Sequence, residues 1–327
     1  MRVLYVTSEW PTRENPHWVP FLKQEVEHLR KAGIKVDVFS FRGRKNPFRY
    51  MDAWLQLREK ISPMNYDLIH AQFGQSGLIS LPASLPLIVT FHGSDLQGWI
   101  NGNGRYTIQG RVMGLISRAV ARKADRVIVV SNHLAKYLPN KIPARVIPCG
   151  IDLDLFSPEP IEKARRELSL PLGKRLVLFP ANPNNPIKRY NLARDAVALL
   201  KSRFELDLIA LCNIPHQKVP VYMNACDALL LTSKHEGSPV VIKEALACNL
   251  PVVSVDVGDV KEFISLVPGC RLCEDDSPET IAAELTQVLN NSKRVEGRRA
   301  VEHLSWEITT KKIIGVYQEA LETGSGS

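Results

Sequence analysis

The stretch KHEGSPVVIKEALACNLPVVSVDVGDV, Lys234 to Val260, holds Glu236 in a Gly-Ser-Pro turn and Glu244 in the apolar run that follows, with seven residues between them. A helix opening near Ser238 or Pro239 has proline in its first turn, where no N–H is missed, and the free N–H groups of that turn attract anions. Glu244 then lies about 7 to 8 Å along the axis from Pro239, while Glu236 stays in the turn ahead of it. Carboxylates repel phosphates and accept strong hydrogen bonds from sugar hydroxyls. The spacing therefore suits a ligand with a diphosphate in the middle and a sugar ring at each end, a nucleotide sugar. A solvated turn glutamate and a surface helix glutamate fit the same spacing, and spacing alone leaves both readings open.

Three further stretches follow apolar runs in the same way. TSEWPTRENPHWVPF, after the first run, offers Glu9, Arg13, Trp18 and Val19 for an acceptor or a phosphate. FHGSD offers His92, Gly93 and Asp95, with Asp95 placed to cap the turn or meet a ligand. ANPNNPIKRY offers Asn182, Lys188 and Arg189, of which Lys188 would neutralise a diphosphate at the helix start.

These residues need elements to hold them. RVLYVT, KVDVFS, DLIHAQ, PLIVTF, RVIVVS and RVIPC are Val/Ile/Leu-rich runs of the length of strands buried on both faces, and RLVLFP, ELDLIAL, DALLLTS, PVVSV and GCRLC repeat the pattern. Amphipathic stretches such as Val19–Lys31, Gly110–Lys123, Asn191–Lys201 and Pro278–Leu289 lie between them. Strand and helix in alternation imply parallel sheets with right-handed crossovers, and two series imply two Rossmann-like α/β domains. A break near CGIDLDLFSPEP divides the chain into 1–155 and 156–305. An amphipathic helix over 306–323 is a candidate to cross back to the first domain, and residues 324–327 read as an added tail. In such sheets ligands bind beyond the carboxyl ends of strands, where all four stretches fall, two in each half, so an interdomain cleft lined from both sides is expected.

The 327 residues suit two cores. No apolar run reaches the ~20 residues of a membrane span, and MRVLYVTSEW reads into a strand rather than a secretory signal, which places the chain in the cytoplasm. Six scattered cysteines, including the lone pair Cys270 and Cys273, read as free thiols. Asp152 and Asp154 sit in the connector, away from any phosphate loop, so neither a metal nor another cofactor is expected. NGNGRYTIQG follows no strand and fails as a dinucleotide fingerprint, and no P-loop motif is present. The net charge of +8 is confined to the first half, which carries +9 against −1 for the second. RGRKNPFRYMDAWLQLREK mixes Arg42, Arg44, Lys45, Arg49, Arg58 and Lys60 with Phe48, Tyr50 and Trp54, a composition suited to an anionic membrane surface as well as to a solvated basic face. No nucleic-acid module accompanies the charge.

EGSPVVIKEALACNLPVVSVDVGDV resembles the Glu, seven residues, Glu motif of retaining GT-B glycosyltransferases of family four. TFHGSD, ADRVIVVSNHLAKYL, VIPCGIDLDLFSP and LSWEITTKKIIGVYQEAL follow in family order over nearly the whole chain. The resemblance implies a GT-B fold and a donor linked to UDP or GDP, used as substrate. The acceptor it implies is a glycan or lipid-linked glycan of the cell envelope, met in the cytoplasm at the inner face of the membrane. It implies that Glu244 holds the ribose and Glu236 the transferred sugar, and that backbone N–H groups around Gly237, Ser238 and Val240 face the donor. Lys188 would meet the diphosphate and His92 the sugar near the reacting carbon, with retention of configuration and the leaving phosphate taking the acceptor proton. The alternative is a GT-B-fold protein that binds a sugar nucleotide or glycan with little or no turnover; a GT-B epimerase is set aside because the turn and helix are those of family four. The sequence departs from the family at Asn182, where an arginine is usual, and at Val19, where a glycine is usual. Arg189 is a candidate substitute for the missing arginine. A β-branched residue is expected to refuse the left-handed backbone that glycine permits at position 19.

Overall fold

The computed structural model describes residues 1–13, 18–43, 46–62, 65–82, 85–140, 142–291 and 293–324. Arg44 and Lys45 of the basic segment and residues 325–327 of the tail lie outside the described residues.

The first unit comprises Met1–Ile100, Arg105–Gly150 and Trp306 onward. Its elements in order are β1 (Arg2–Thr7), α1 (Pro20–Lys31), β2 (Lys35–Ser40), α2 (Pro47–Ile61), β3 (Leu68–Gln72), α3 (Gly74–Ser80), β4 (Leu87–Phe91), α4 (Ser94–Gln97), α5 (Ile108–Ala121), β5 (Arg126–Val129), α6 (Asn132–Ala135) and β6 (Ala144–Val146). The sheet is parallel throughout, in the order β2-β1-β3-β4-β5-β6. Strands β1, β3 and β4 are buried along nearly their whole length because helices cover both faces, which is why they read as unbroken apolar runs.

The second unit comprises Asn101–Gly104 and Ile151–Ser305, so the first unit ends at Gly150 and residues 101–104 group with the second. It contains α7 (Ile161–Glu167), β7 (Arg175–Phe179), a 3₁₀ turn at Pro186–Lys188, α8 (Tyr190–Ala198), β8 (Leu206–Ala210), a 3₁₀ turn at His216–Lys218, α9 (Val219–Ala225), β9 (Ala228–Leu231), α10 (Val240–Ala247), β10 (Val252–Ser254), α11 (Val260–Ile264), β11 (Arg271–Leu272), α12 (Pro278–Asn291), α13 (Gly297–Val301) and a 3₁₀ turn at Glu302–Leu304. Its sheet is again parallel, ordered β11-β10-β9-β7-β8. Leu176, Leu178, Leu229, Leu231, Ile242 and Val253 centre its core. Both units are doubly wound Rossmann-like domains, as the alternation of runs predicts.

The last helix, α14 (Trp306–Gly324), belongs to the first unit. Its Ile313, Val316, Tyr317 and Ala320 pack into the core that α1 and β1 share. Ile314 and Leu321 lie at its margin, and Trp306 is buried beside Gly150, whose missing side chain makes room for the indole.

Candidate functional site

In the second unit the predicted residues gather beyond the carboxyl ends of β7 and β9. The 3₁₀ turn is closed by the Asn185 side chain, which accepts from the Ile187 N–H, and it is tied to the loop after β9 by the Lys234 N–H on the Ile187 carbonyl, 2.8 Å. The Thr232 hydroxyl reaches the Lys188 and Arg189 carbonyls at 2.9 and 3.2 Å. These bonds bring the Lys188 ammonium onto Glu236 Oε1 at 2.5 Å, in a part-buried ion pair. The cation expected at the diphosphate and the carboxylate expected at the sugar thus hold each other.

Arg189 takes the left-handed conformation at φ 54°, and its guanidinium is spent on the Thr232 carbonyl and on Asp276, each 2.5 Å away. It therefore does not stand in for the arginine that position 182 lacks. Asn182 itself accepts from the Asn184 N–H and shapes the turn.

The helix carrying Glu244 starts one residue later than its proline suggested. Pro239 is extended, with ψ 107°, and occupies the cap, so the first helical turn is opened by Val240. Its N–H groups have no acceptor within the helix, which leaves the anion-attracting end intact. Ser238 does not turn its hydroxyl outward. It donates to Asp259 Oδ2 at 2.7 Å and receives the Lys243 ammonium, which also meets Asp259 at 2.7 Å and lies over the Phe263 ring. Lys243 and Asp259 are 1% and 2% exposed, so this is a buried ion pair that braces the turn ahead of α10. Gly258, at φ 60°, lies against the Glu236 and Gly237 carbonyls, where a Cβ would come within 3.2 Å of each. Only glycine satisfies both the backbone angle and the close approach.

Glu244 is buried in α10 and accepts from His216 Nε2 at 2.8 Å, with the imidazole tilted against Phe156. Burial works against charging this imidazole, but the hydrogen bond and charge of Glu244, with a smaller contribution from Asp152, leave its pKa raised. His216 was not foreseen: it opens a short 3₁₀ turn ahead of α9, with no motif around it. Lys243 carried a signal, as the one charged residue besides Glu244 in the apolar run VVIKEALA. Asp152 accepts from the Asp154 and Leu155 N–H groups and closes a turn. Among the described residues no group of three or more His, Cys, Asp or Glu is arranged to hold a metal. All six cysteines are free thiols.

In the first unit His92 follows β4. Gly93, at φ 151°, makes a bend that only glycine takes readily, and Asp95 accepts from the N–H groups of Gly93, His92 and Gly74. Asp95 is thus a buried brace for the loop, not a ligand group, and burial pushes its carboxyl up to about 6 against those donors. The His92 ring lies between Phe21 and Phe73, and burial lowers its pKa to about 3, so it is neutral. Its Nε2 faces Gln72 Oε1 at 2.6 Å. The Gln72 amide in turn donates to Glu25 Oε1 at 3.0 Å and meets His70 Nε2 at 3.1 Å. Glu25 also accepts from the Tyr5 hydroxyl at 3.0 Å, and His70 Nδ1 meets the Tyr317 hydroxyl at 2.8 Å. Since a carbonyl only accepts, His92 carries its proton on Nε2 and presents Nδ1 as a lone pair, 4.0 Å from the Cys149 sulfur. Apart from His92 none of this network was legible in the sequence, because its other members come from β1, α1, β3 and α14.

The loop after β1 brings Glu9, Trp18 and Val19 together with this site. Burial raises the Glu9 pKa; a hydrogen bond from Trp18 opposes that, the charge of Asp95 adds to it and Arg42 opposes it. Arg13 and Trp18 are exposed. Val19 does adopt the glycine-like conformation, at φ 42° and ψ 57°, as the cap of α1. The expectation that its β-branch would forbid this is overturned. Val19 packs at the edge of the core beside Phe21, and its carbonyl accepts from the Leu22 N–H at 3.2 Å.

Comparison with known proteins agrees with this construction. Residues 2–155 match the model described as Glycosyltransferase Family 4, and residues 205–301 the model described as Glycosyl transferases group 1. The two matches and the relatives below support a glycosyltransferase similar to family 4. It is 26% identical to TuaC of Bacillus subtilis strain 168, named as a glycosyltransferase of teichuronic acid biosynthesis, over 80% of this chain and 83% of that one. It is 25% identical to a D-inositol 3-phosphate glycosyltransferase of Thermobispora bispora, over 84% and 75%. The sucrose-phosphate synthase of Thermosynechococcus elongatus shares the fold with a TM-score of 0.81 at 18% identity, over 99% of this chain and all of that one. HepE of Anabaena, solved with UDP, shares it at 0.70 and 16%, over 98% and 100%. The family models and the named relatives support glycosyltransferase activity for this chain.

Proposed function

We propose that this glycosyltransferase moves a sugar, with retention of configuration, from a UDP- or GDP-linked donor to a glycan or lipid-linked acceptor of the cell envelope. The observation that carries the reading is a pair of contacts at the start of α10: Lys188 on Glu236 ahead of the helix, and His216 on Glu244 of the helix. The diphosphate would lie at the N–H groups that Val240 opens, with Lys188 leaving Glu236 to meet it. Glu236 would then accept from hydroxyls of the transferred sugar, and Glu244 from the ribose. Transfer through an oxocarbenium-like state needs a stabilised leaving group and a placed acceptor, and Lys188 with the helix start supplies positive charge at the leaving phosphate. No step of this reading calls on a metal.

A double displacement would need a carboxylate on the far face of the sugar. Glu236 and Glu244 are assigned to hydroxyls, so the leaving phosphate is the group we assign to take the acceptor proton. His92, neutral and with Nδ1 near the Cys149 sulfur, is assigned to the transferred sugar by the family resemblance. HepE, solved with UDP-glucose, supports the choice of a uridine donor to try first.

The test is incubation with a panel of UDP- and GDP-sugars, scoring nucleotide release with and without acceptor glycans, and anomeric configuration by NMR. Release with a retained product supports the reading, and an inverted product refutes retention. A second reading, binding with little turnover, is favoured by the engagement of Arg189 with Asp276, which leaves position 182 without a cationic substitute. Saturable binding with no release for every donor and acceptor would establish it.

A further inference from the structure

Helices α2, α3 and α5 pack side by side as one layer on the sheet of the first unit. The buried sides of α2 and α5 carry Ala53 and Leu57, and Ser117, Val120 and Ala121. Their outward sides should then be polar, and they are not. Phe48, Met51 and Leu55 recur at positions i, i+3 and i+7 on α2, and Ile108, Val112 and Leu115 at i, i+4 and i+7 on α5. All six are exposed, Phe48 and Ile108 to 82% each. Leu78 of α3 is exposed between them, so seven of the fourteen exposed large apolar residues described lie on this one layer.

The short α3 leaves a groove of about 450 Å³ between the longer helices, lined by Tyr50, Leu78, Trp99, Ile108, Val112 and Met113 among others, with Gln109 its one polar side chain. An apolar face of this extent marks a contact with something apolar. The charge around it says what. From Leu96 to Ala124 there are five basic residues, Arg105, Arg111, Arg118, Arg122 and Lys123, and no Asp or Glu. All but Arg118 are exposed, and Arg49 is exposed beside Phe48. Asp52 and Glu59 of α2 are exposed as well, so the cationic border runs along α5, and an apolar band bordered there by cations matches the two layers of an anionic bilayer surface, hydrocarbon below and phosphate above.

We propose that the outer face of α2, α3 and α5 docks on an anionic lipid bilayer, with Phe48, Met51, Leu55, Ile108, Val112 and Leu115 in the acyl region and the groove taking a lipid chain. The contribution of α5 is not apparent from the basic segment at 42–60, whose Arg58 is occupied with the Trp54 ring and the Pro82 carbonyl. The inference builds on the reading of an acceptor held near a membrane, but the docking face itself includes none of the donor-site residues.

The full chain is mixed with sucrose-loaded vesicles of phosphatidylcholine alone or with phosphatidylglycerol, and the pelleted fraction is measured without donor or acceptor. Sedimentation with the anionic vesicles only, weakened by salt, is expected, as is quenching of Trp99 fluorescence by brominated acyl chains that is lost in Trp99→Phe. The pair Ile108→Ser and Leu115→Ser, exposed and therefore tolerated by the fold, should lower vesicle partitioning roughly tenfold or more. Nucleotide release in vesicle-free solution should be unchanged. A chain that stays in the supernatant, or a double variant that pellets like the parent, overturns the proposal. So does a parental dimer in sedimentation velocity that the same substitutions dissolve, since a second copy would then own the face. Vesicle binding is read without turnover, so its failure is distinct from failure of nucleotide release.

Discussion

Replacing Glu25 by glutamine should change how stability of the first unit depends on pH. Glu25 sits in α1 inside the network behind His92, where Tyr5 and Gln72 donate to it, His70 lies 4.0 Å away and Tyr317 is nearby. Burial pushes its carboxyl from 4.5 up to about 7, although the two donors favour the charged form. A carboxyl whose folded pKa is raised costs nothing while protonated. Stability is therefore full below about pH 4.5 and falls as pH rises toward 7, after which the loss is complete. At 1.36 kcal/mol per pKa unit the loss amounts to roughly 3 kcal/mol. Glutamine keeps an oxygen for Tyr5 and Gln72 and has no charge to bury. The variant should thus gain on the parent across pH 5 to 7 and hold an advantage of about 3 kcal/mol at pH 8, discounted for relaxation around the charge. Two cores make whole-chain denaturation a poor readout. Hydrogen exchange of amides in β1 and β3, followed at pH 5, 6, 7 and 8, isolates the unit. If the exchange free energies of parent and variant run parallel over that range, Glu25 does not titrate in the window and the account of its burial is wrong.

Three further outcomes are expected. Lys188→Ala and Glu236→Gln should each lower kcat/KM by about 10- to 100-fold, and the double variant should fall short of their product because the two side chains share one ion pair; strict additivity in a double-mutant cycle would refute that coupling. His216→Ala should cost more thermal stability at pH 6 than at pH 8.5, since a raised imidazole pKa gives stability that is present below 6.5 and lost as pH climbs through the folded value; an equal loss at both pH values would remove the charge from the His216 and Glu244 contact. Val19→Gly should stabilise the chain by about 0.5 to 1 kcal/mol, as relief of a left-handed β-branched residue outweighs the added freedom of glycine; a fall in Tm would show that packing of the valine against Phe21 matters more.

What could be read along the chain was whatever local physics decides. Strands buried on both faces must be unbroken apolar runs, so both parallel sheets were visible as RVLYVT, PLIVTF, RLVLFP and their fellows. Turns and helix starts declare themselves through Gly, Ser and Pro, so Glu236, Lys188 and His92 could be singled out as candidates after strands and Glu244 as one in the helix that follows. The tertiary structure decided who partners whom. Lys188 and Glu236 are 48 residues apart, His216 and Glu244 are 28, and Lys243 reaches Asp259 over 16; only packed sheets make them neighbours. Packing also gave the side chains of Asp95, Ser238 and Arg189 partners within the fold, because a buried polar atom must bond to whatever the fold brings near it. It held Val19 in a conformation its side chain disfavours. It also turned the apolar stripes of α2 and α5 outward, since periodicity shows that a helix has an apolar face but not which of its faces the sheet will cover.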